Sequence, residues 1–580
     1  MNIIYGIRNE TFKLRTADRW SYNPAQIKNY GTSLELYCAR GDWAAFQVVI
    51  HSDTTYALNT GDAAWFSQHS RGNMPTLRLG AKCALETSLY IEDMIPDNDQ
   101  TPTADALMTD PICEVKEDTT RAVWCEITVP EDTSAGCYDC TVSLYGGRLF
   151  EEETKLGECT VKLNVLDYIM PKPSEYRMYL DLWQHNSNIA RKHDVKLWSD
   201  DHFEVIEQYV KSLAQLGQKA MTLIVSEIPW SGQSCFYVTN MEANLFEYSI
   251  IPIRKTADGF VYDFTKMQRY IDLCAKYGIR DEISLYGFAN IWKFEEYGYG
   301  AVSDDYPDAV RVRYLDEADG CYKYMKKASE IDAYIKAVEQ YFITTGQIDR
   351  VRLAADEPGD IEAYKKSLGH IREIAPAFKF KAAINHAEFI GEFGNDVYDF
   401  VPYIRCLAVE YDKILEYKST MEGKRFLWYV CCGPMYVNTF LTSDLCESWY
   451  IGVLTSYANL DGFLRWNYTV WPDDPRHDVR CGHWKAGDYN FVYPGYNGKP
   501  LLTVRWKALK RGVEMFELLE RLKDTGDTEA LDKAYSMVVR EKDVRKYFEP
   551  GLTASKLCSL DYNEYAVLRK YLIEKLIENK

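Results

Sequence analysis

From residue 176 to residue 507 the sequence alternates short apolar runs with segments of helical periodicity. The eight runs are YRMYLDLW, KAMTLIVS, EISLYGF, VRLAA, FKFKAAIN, IRCLAVEY, RFLWYVC and DGFLRWNYTV. Buried parallel strands joined by crossover helices give this pattern, and eight such units make a (β/α)8 barrel. Helices after the fifth and sixth runs are weakly marked. We therefore predict an α/β fold with a central (β/α)8 TIM barrel over residues 171–507.

A doubly wound open sheet could be built from the same units. Such sheets commonly bind nucleotides through glycine-rich loops that follow a strand. Neither GxGxxG nor GxxxxGK[ST] follows any of the eight runs. The absence of both motifs removes the nucleotide-binding interpretation and favours the closed barrel.

The chain has 580 residues, too many for one hydrophobic core, so we expect flanking units. Residues 1–170 carry strand-like runs such as AAFQVVIHS and CTVKLNVLDY, which predict an N-terminal β-sandwich. Pro171 and Pro173 cannot sit inside a strand ladder and indicate a linker. Residues 508–580 are charged and helical, and we expect the last barrel helix and a C-terminal helical extension there.

The net charge of −19 disfavours nucleic acid and anionic membranes as partners. No stretch approaches the roughly 18 apolar residues that cross a bilayer, and the first residues lack the pattern of a secretory signal. We therefore expect a cytoplasmic protein whose sixteen cysteines are reduced thiols. Cys137 and Cys140 form a lone CxxC, which does not suffice for zinc. The oligomeric state is left open.

Active sites of such barrels lie at the C-terminal ends of the strands, so the residues that follow each apolar run are candidates. Carboxylates at these positions are Glu227, Asp356, Glu357 and Glu410, and Trp230 follows the second run. Aromatic, amide and imidazole side chains at these ends are expected to contact substrate: Trp183, His185, Asn385, His386, Tyr411, Tyr429, Trp466, Asn467 and Tyr468. Two histidines do not make a metal triad, and we expect neither a metal nor a cofactor.

The carboxylates favour hydrolysis of a glycosidic bond, which needs a proton donor and stabilisation of a positive centre. The seventh run, RFLWYVC, carries no carboxylate, so a nucleophile across the barrel would have to be Glu227, Glu388 or Glu410. The adjacent Asp356 and Glu357 suit a different solution. One carboxyl protonates the leaving group, while the other holds the 2-acetamido group of the substrate, whose oxygen attacks the anomeric carbon.

The same pair could simply begin the next helix. Asp360, however, is already a good N-cap for that helix. Two acidic residues at the end of an apolar strand are costly without a role, and close carboxyls raise the pKa of one of them. A catalytic role is therefore the favoured hypothesis.

Five segments of the sequence resemble glycoside hydrolase family 123 and its relatives: RLAADEP, FLWYVCCGP, NTFLTS, DGFLRWNYTVWPDDP and GDYNFVYPG. The order of β-domain, barrel and helical tail is similar to that family over nearly the whole chain. The resemblance implies a retaining β-N-acetylgalactosaminidase that uses substrate-assisted catalysis. It further implies that Glu357 is the general acid/base and that Asp356 orients the acetamido group. Small oligosaccharides are the expected substrates.

Two alternatives remain open. The first is a glycosidase of the same fold for a sugar without an acetamido group, with Glu410 or another carboxylate as partner. The second is a non-catalytic carbohydrate-binding protein, which would keep the aromatic residues but need no acid.

Overall fold

The computed structural model describes residues 2–16, 23–61, 74–148, 151–229, 246–290, 303–393, 397–480 and 484–579. Trp230, which was expected near the end of the second barrel strand, lies outside the described residues.

In its described residues, the N-terminal unit has eleven strands and one short helix. The strands are β1 Ile3–Asn9, β2 Ser33–Arg40, β3 Asp42–Ser52, β4 Tyr56–Asn59, β5 Thr76–Lys82, β6 Thr87–Pro96, β7 Pro102–Leu107, β8 Ile112–Val115, β9 Thr119–Val129, β10 Gly136–Gly147 and β11 Thr154–Ile169, and helix α1 is Pro24–Ile27. They form a five-stranded sheet, β1-β3-β9-β6-β7, and a six-stranded sheet, β2-β11-β10-β5-β4-β8. Apolar residues of both sheets pack into one cluster between them, as in a β-sandwich.

A disulfide joins Cys83 to Cys140 on the six-stranded sheet. The prediction that all cysteines are reduced is therefore wrong for this pair. The lone CxxC of Cys137 and Cys140 does not identify the bonded pair, because positions three apart on β10 point to opposite faces. Cys137 is exposed and free, whereas Cys140 faces the strand partner of β10 and reaches Cys83 beyond the end of β5.

Eight parallel strands form the central sheet, and helices follow most of them. The strands are β12 Tyr179–Leu182, β13 Ala220–Ile224, β18 Glu282–Tyr286, β21 Val351–Asp356, β22 Lys379–Ile384, β23 Asp399–Pro402, β24 Arg425–Tyr429 and β25 Gly462–Arg465. The sheet order follows the chain except that β12 pairs with β25, and a parallel bridge between Leu180 and Gln218 brings β12 beside the start of β13. The predicted (β/α)8 barrel is confirmed.

Among the described residues, eight shorter strands and ten helices accompany the barrel strands up to the end of α11. The short strands are β14 Ile228–Pro229, β15 Phe246–Glu247, β16 Ile253–Thr256, β17 Gly259–Tyr262, β19 Arg313–Asp316, β20 Cys321–Tyr324, β26 Tyr493–Pro494 and β27 Pro500–Leu501. The helices are α2 Asn186–Lys192, α3 Asp200–Ala214, α4 Thr265–Lys276, α5 Ala328–Thr344, α6 Ile361–Ile374, α7 Glu388–Glu392, α8 Ile404–Val409, α9 Tyr411–Thr420, α10 Leu445–Tyr457 and α11 Val504–Asp524.

The sixth strand differs from its prediction. It is formed by Asp399–Pro402, whereas the run IRCLAVEY lies in α8 and the start of α9. A short apolar run fits a buried helix as well as a buried strand, so its periodicity does not separate the two. The residues that were expected at the end of the sixth strand therefore lie in the helical layer.

The lower part of the barrel interior holds a buried charge network instead of aliphatic layers. The Lys381 ammonium lies 2.5 Å from the Asp181 carboxylate and 2.7 Å from that of Glu282. Arg425 contacts Glu282 at 3.0 Å and Asp399 at 2.6 Å. Each buried charge has a partner, which is the condition under which such groups are tolerated in a core.

The C-terminal helices connect the barrel to the β-sandwich. They are α12 Thr528–Val538, α13 Ala554–Leu557 and α14 Tyr562–Glu578. Asp42 of the sandwich accepts contacts from Arg511 on α11 at 3.2 Å and from Arg569 on α14 at 2.5 Å, and all three side chains are buried. Helix α11 begins at Val504, so the predicted border between residues 507 and 508 falls inside it. Among the described residues, no helix combines the length and apolar character needed to cross a bilayer.

Candidate active site

The Asp356–Glu357 pair lies where β21 ends, at the C-terminal face of the barrel. Glu357 has a φ of 46°, in the left-handed region that a residue with a side chain seldom adopts. Its N–H still donates to the carbonyl of Ala383 on β22 at 3.1 Å. The Asp360 side chain caps α6 by accepting from the N–H of Ala363 at 2.8 Å, so neither member of the pair is its cap. Strain held in place by neighbouring contacts is typical of functional sites.

Two donors from neighbouring strands hold the Glu357 carboxyl. The Tyr429 hydroxyl, at the end of β24, donates to Oε1 at 2.5 Å, and the Asn385 amide, after β22, donates to Oε2 at 3.0 Å. Burial raises the pKa of Glu357, and these two hydrogen bonds lower it, so they offset part of the rise. The carboxyl is therefore fixed in orientation and biased toward its protonated form.

Asp356 differs from its neighbour in having no hydrogen bond between its carboxyl and another described residue. Burial, followed by the charge of Glu357, raises the pKa of Asp356 well above its ordinary range. Its backbone carbonyl accepts a hydrogen bond of 2.5 Å from the Asn290 amide, which fixes the strand end. The Asp356 side chain is half-buried and is thus available to a donor from outside the protein.

Aromatic rings surround the pair inside the barrel mouth. Trp183, Tyr429 and Trp466 belong to one cluster that also contains barrel-interior residues of β21 and β22. The ring of Trp183 lies 4.9 Å from that of Tyr286, and the ring of Tyr429 lies 5.4 Å from that of Tyr403. Trp183, Asn385, Tyr429 and Trp466 are therefore on the inner side of the barrel, where the sequence placed them.

The two histidines of the expected substrate pocket lie in different environments. His185 is buried, its ring is 6.4 Å from that of Trp466, and burial lowers its pKa to about 3. The imidazole is thus neutral and unsuited to donate a proton as a cation. His386 is partly exposed, stacks on Phe389 at 5.1 Å and faces the Glu388 carboxylate at 3.3 Å.

Three other expected contact residues do not face the pair. Tyr468 is buried against the helical layer, where its hydroxyl lies 2.7 Å from Ser212 Oγ and accepts from the Trp506 indole at 3.1 Å. The Asn467 amide is hydrogen-bonded to the backbone carbonyl of Asp488. Tyr411 begins α9, and its hydroxyl donates to the carbonyl of Ala458 at 3.2 Å. Asn467 and Tyr468 lie beyond the end of β25 at Arg465, where strand alternation no longer sets the side-chain direction, and Tyr411 follows the misplaced sixth strand.

The other carboxylates considered as partners are engaged elsewhere. Glu227 is buried and forms an ion pair of 2.6 Å with Arg313. Glu410, at the far end of α8, contacts Lys413 at 3.1 Å. Glu388 is largely exposed beside His386. Among the described residues, none of these three is hydrogen-bonded to the site around Glu357.

Sequence reasoning missed three residues of this region. Tyr403 follows the true sixth strand and lies against Tyr429. Asn290 lies four residues beyond β18, and its only signal was its place after the third apolar run. Trp484 lies in the loop CGHWKAGDYN, and its ring is 5.3 Å from that of Trp466. A long loop can bring a residue back to the mouth from any distance along the chain, so sequence position does not reveal it.

The β-sandwich contributes to this wall through Asn98. Its amide donates to the carbonyl of Trp484 at 3.2 Å, and its side-chain oxygen accepts from the N–H of Ala486 at 2.7 Å. The two hydrogen bonds hold both sides of the short segment that carries Trp484. The N-terminal unit therefore helps to fix an aromatic ring of the barrel mouth.

Comparisons with known families and structures agree with this geometry. The model of the glycoside hydrolase 123 catalytic domain matches residues 183–522, and the model of the glycoside hydrolase 123 N-terminal domain matches residues 89–146. No curated protein sequence matches the chain.

A family 123 glycoside hydrolase from Clostridium perfringens, described in a study of glycolipid glycan hydrolysis, superposes with a TM-score of 0.73 at 16% identity. The match covers 100% of this chain and 98% of that chain, and at this identity it shows a shared fold. A cyclic maltosyl-maltose hydrolase from Arthrobacter globiformis, at 13% identity and a TM-score of 0.31, covers 60% of this chain and 84% of its own, which is too low to support an inference.

Proposed function

The chain belongs to glycoside hydrolase family 123, and we propose that it is a retaining exo-enzyme that removes a terminal β-linked N-acetylhexosamine, with N-acetylgalactosamine as the sugar. The observation that carries the proposal is the adjacent pair at the end of β21. One carboxyl is held by two donors, and the other is left without a described hydrogen-bond partner. Substrate-assisted hydrolysis needs this division between a fixed acid and a group that receives the acetamide.

Glu357 acts as the general acid. Its raised pKa keeps a proton available near neutral pH, and Tyr429 and Asn385 fix the direction in which the proton is delivered. As the bond between the anomeric carbon and the glycosidic oxygen breaks, the proton passes to that oxygen. The acetamide carbonyl oxygen of the same sugar attacks the anomeric carbon and closes a positively charged ring.

Asp356 receives the acetamide N–H and stabilises the developing positive charge. In the free protein, burial and the charge of Glu357 raise the pKa of Asp356, so the ionised form of Asp356 is disfavoured without a donor. An acetamide N–H bonded to Asp356 supplies the donor that it lacks and favours its ionised form. The proton is then held by Glu357. Substrate binding itself thus sets the protonation state that the reaction requires.

In the second half of the reaction, Glu357 acts as the base. It removes a proton from a water molecule that attacks the anomeric carbon from the side vacated by the leaving group. The acetamide oxygen is expelled and the configuration is retained. Trp183, Trp466 and Trp484 form the buried aromatic wall of the barrel mouth, against which the sugar would bind.

A panel of aryl glycosides tests this proposal. Substrates carrying N-acetylgalactosamine, N-acetylglucosamine and galactose are compared at equal leaving group. The 2-acetamido sugars should be hydrolysed, and the galactoside should be at least 100-fold slower because it lacks the internal nucleophile, on the order of the effect of losing one catalytic group. Equal rates on galactoside and acetamido sugar would show that a protein carboxylate is the nucleophile. Glycan binding without any turnover would favour a non-catalytic carbohydrate-binding protein.

We also propose that the enzyme works in the cytoplasm on small oligosaccharides, without nucleic-acid or membrane partners. The net charge of −19 disfavours anionic partners, and twelve cysteines of the described part of the chain are free thiols. The Cys83–Cys140 disulfide instead favours a location outside the cytoplasm, because such bonds persist in oxidising compartments. Cell fractionation together with the redox state of this pair in the isolated protein decides between the two locations.

A further inference from the structure

Two neighbouring thiols lie at the mouth of the site and have no part in the proposed reaction. Cys431 and Cys432 follow β24, directly beyond the segment that presents Tyr429 to Glu357. Their sulfur atoms are 3.8 Å apart. Cys432 is exposed, Cys431 is half-buried, and both are free.

The dithiol borders the same wall as the catalytic acid. Cys431 and Tyr403 both pack on the cluster that contains Tyr429. Burial raises the pKa of Tyr403, and the charges of Cys431, Cys432 and Glu357 add to the rise, so these groups all lie within electrostatic range of one ring. Any covalent modification of these two thiols would therefore take place beside the groups that position Glu357.

We infer that Cys431 and Cys432 form a reversible modification site for small-molecule disulfides, and that closure of the pair to a vicinal disulfide lowers hydrolytic activity. The Cys432 thiolate attacks one sulfur of the small disulfide, which breaks the S–S bond and releases one thiol. Cys431 loses its proton to solvent, attacks the Cys432 sulfur of the mixed disulfide and expels the second thiol. In total the protein loses two protons and two electrons, and the small disulfide is reduced to two thiols.

The structure assigns different roles to the two thiols. Cys432 is the accessible sulfur, and the hydrogen bond between the two thiols lowers the pKa of Cys432. Burial and this hydrogen bond keep the pKa of Cys431 high, so it is the thiol that reacts second. An exposed thiol with a lowered pKa next to a resolving thiol is the arrangement of redox-sensitive cysteines.

Closure of the ring would alter the loop that supports the aromatic wall. The S–S bond must shorten the present separation to about 2 Å, and this twists the peptide between the two residues. The carbonyl of Cys431 now accepts from the Asn438 amide at 3.0 Å, and its N–H donates to Gly433 O at 3.2 Å. The first hydrogen bond uses the carbonyl of that peptide itself, and the second uses the N–H of the peptide before it.

Asn438 connects this loop to Trp466 through two further side chains. Its side-chain oxygen accepts from Arg465 at 2.7 Å, and Arg465 pairs with Asp488 at 2.9 Å. The Trp466 indole donates to the same Asp488 carboxylate at 3.2 Å. A displaced Asn438 therefore loosens the groups that orient Trp466.

The test uses the full-length enzyme incubated with defined ratios of glutathione disulfide to glutathione. We expect at least a tenfold loss of kcat/KM on an aryl N-acetylgalactosaminide, restored by dithiothreitol, together with a disulfide located between residues 431 and 432 by fragment mass spectrometry. The variants C431S and C432S should lose the reversible inhibition, whereas C137S and C321S, which remove other exposed thiols, should keep it. The inference would be overturned if oxidation left the wild-type activity unchanged, or if C431S and C432S were inhibited as strongly as the wild type.

A trivalent arsenical gives a second measurement that needs no substitution. Phenylarsine oxide condenses with two neighbouring thiols and releases water. Inhibition should be reversed by a dithiol such as dimercaptopropanol and not by a monothiol. Failure of the reagent to bind the wild-type enzyme would contradict the inference even if the serine variants did not fold.

The effect on activity rests on the proposed function, whereas bond formation does not. If the disulfide forms and no acetamido sugar is hydrolysed by the reduced enzyme, the proposed function is wrong and the modification site stands. If the reduced enzyme is active and no bond forms under oxidation, the modification site is wrong and the function stands.

Discussion

The hydroxyl of Tyr429 donates a hydrogen bond of 2.5 Å to Glu357, across the mouth of the barrel from β24 to the end of β21. The two residues are far apart in the sequence, and only closure of the sheet makes them neighbours. The bond couples the orientation of the proposed catalytic carboxyl to its pKa, because the same donor that fixes the carboxyl also favours its ionised form.

Replacing Tyr429 by phenylalanine should change both properties. Loss of the donor raises the pKa of Glu357, so the basic limb of the pH profile of kcat/KM should move to higher pH, since the acid stays protonated longer. The rate should fall by about tenfold, in line with the loss of one hydrogen bond to a charged group. Tyr468→Phe is the matched control, because its hydroxyl bonds Ser212 away from the site. An unshifted pH profile for Tyr429→Phe would contradict this role.

The two members of the pair should respond differently to the leaving group. Glu357→Gln removes acid catalysis, so the loss should be about 100-fold or more with a poor leaving group and small with an activated phenol. Asp356→Asn removes charge stabilisation and should slow both substrates. Parallel kinetics on the two aryl substrates measure the contrast. If Glu357→Gln lowered the rate by the same factor on both aryl substrates, Glu357 would not be the proton donor.

Asn98→Ala tests the contribution of the β-sandwich to the active site. Without the two hydrogen bonds to the carbonyl of Trp484 and the N–H of Ala486, the ring should become less well fixed, and KM should rise several-fold with a smaller change in kcat. Asp99→Ala is the control, since Asp99 is an exposed neighbour in the same loop. A KM equal to that of the wild type would show that the domain has no influence on substrate binding.

Glu92→Gln should remove a pH-dependent loss of stability. Glu92 is buried on β6, both of its carboxylate oxygens lack a hydrogen bond among the described residues, and burial raises its pKa from 4.5 to about 8. A carboxyl with a raised pKa in the folded state destabilises that state as the pH rises from 4.5 toward about 8. Each unit of difference is worth about 1.4 kcal/mol, so the effect is on the order of a few kcal/mol.

Thermal unfolding at pH 5 and pH 8 measures this effect. Between pH 5 and pH 8 the Tm of the wild type should fall further than the Tm of Glu92→Gln, because the glutamine side chain does not ionise. An exposed residue of the same sandwich, Glu158→Gln, should behave like the wild type. The same pH dependence in Glu92→Gln and the wild type would assign the loss to other buried acids.

Seven of the eight barrel strands were predictable from apolar runs, because strands buried on both faces are mostly apolar, even though several carry one paired charge inside the barrel. The sixth was not. Asp399–Pro402 is too short to stand out, whereas the neighbouring run that forms α8 is longer and equally apolar. Tyr411 was misplaced for this reason, and Tyr403 was overlooked.

By itself the sequence determined that the chain forms a barrel after a β-domain, and it placed the paired carboxylates at the end of the fourth strand, because both features are local patterns. The tertiary structure alone decided which side chains surround them. Tyr429, Asn385 and Trp484 reach the site from distant segments, and Cys83 reaches Cys140, because sheet closure and strand pairing bring these residues together. Tyr468 shows the converse, since it lies only two positions after Trp466 in the chain and yet faces the helices. Local periodicity fixes the type of each element, while the direction of an individual side chain depends on how the elements pack.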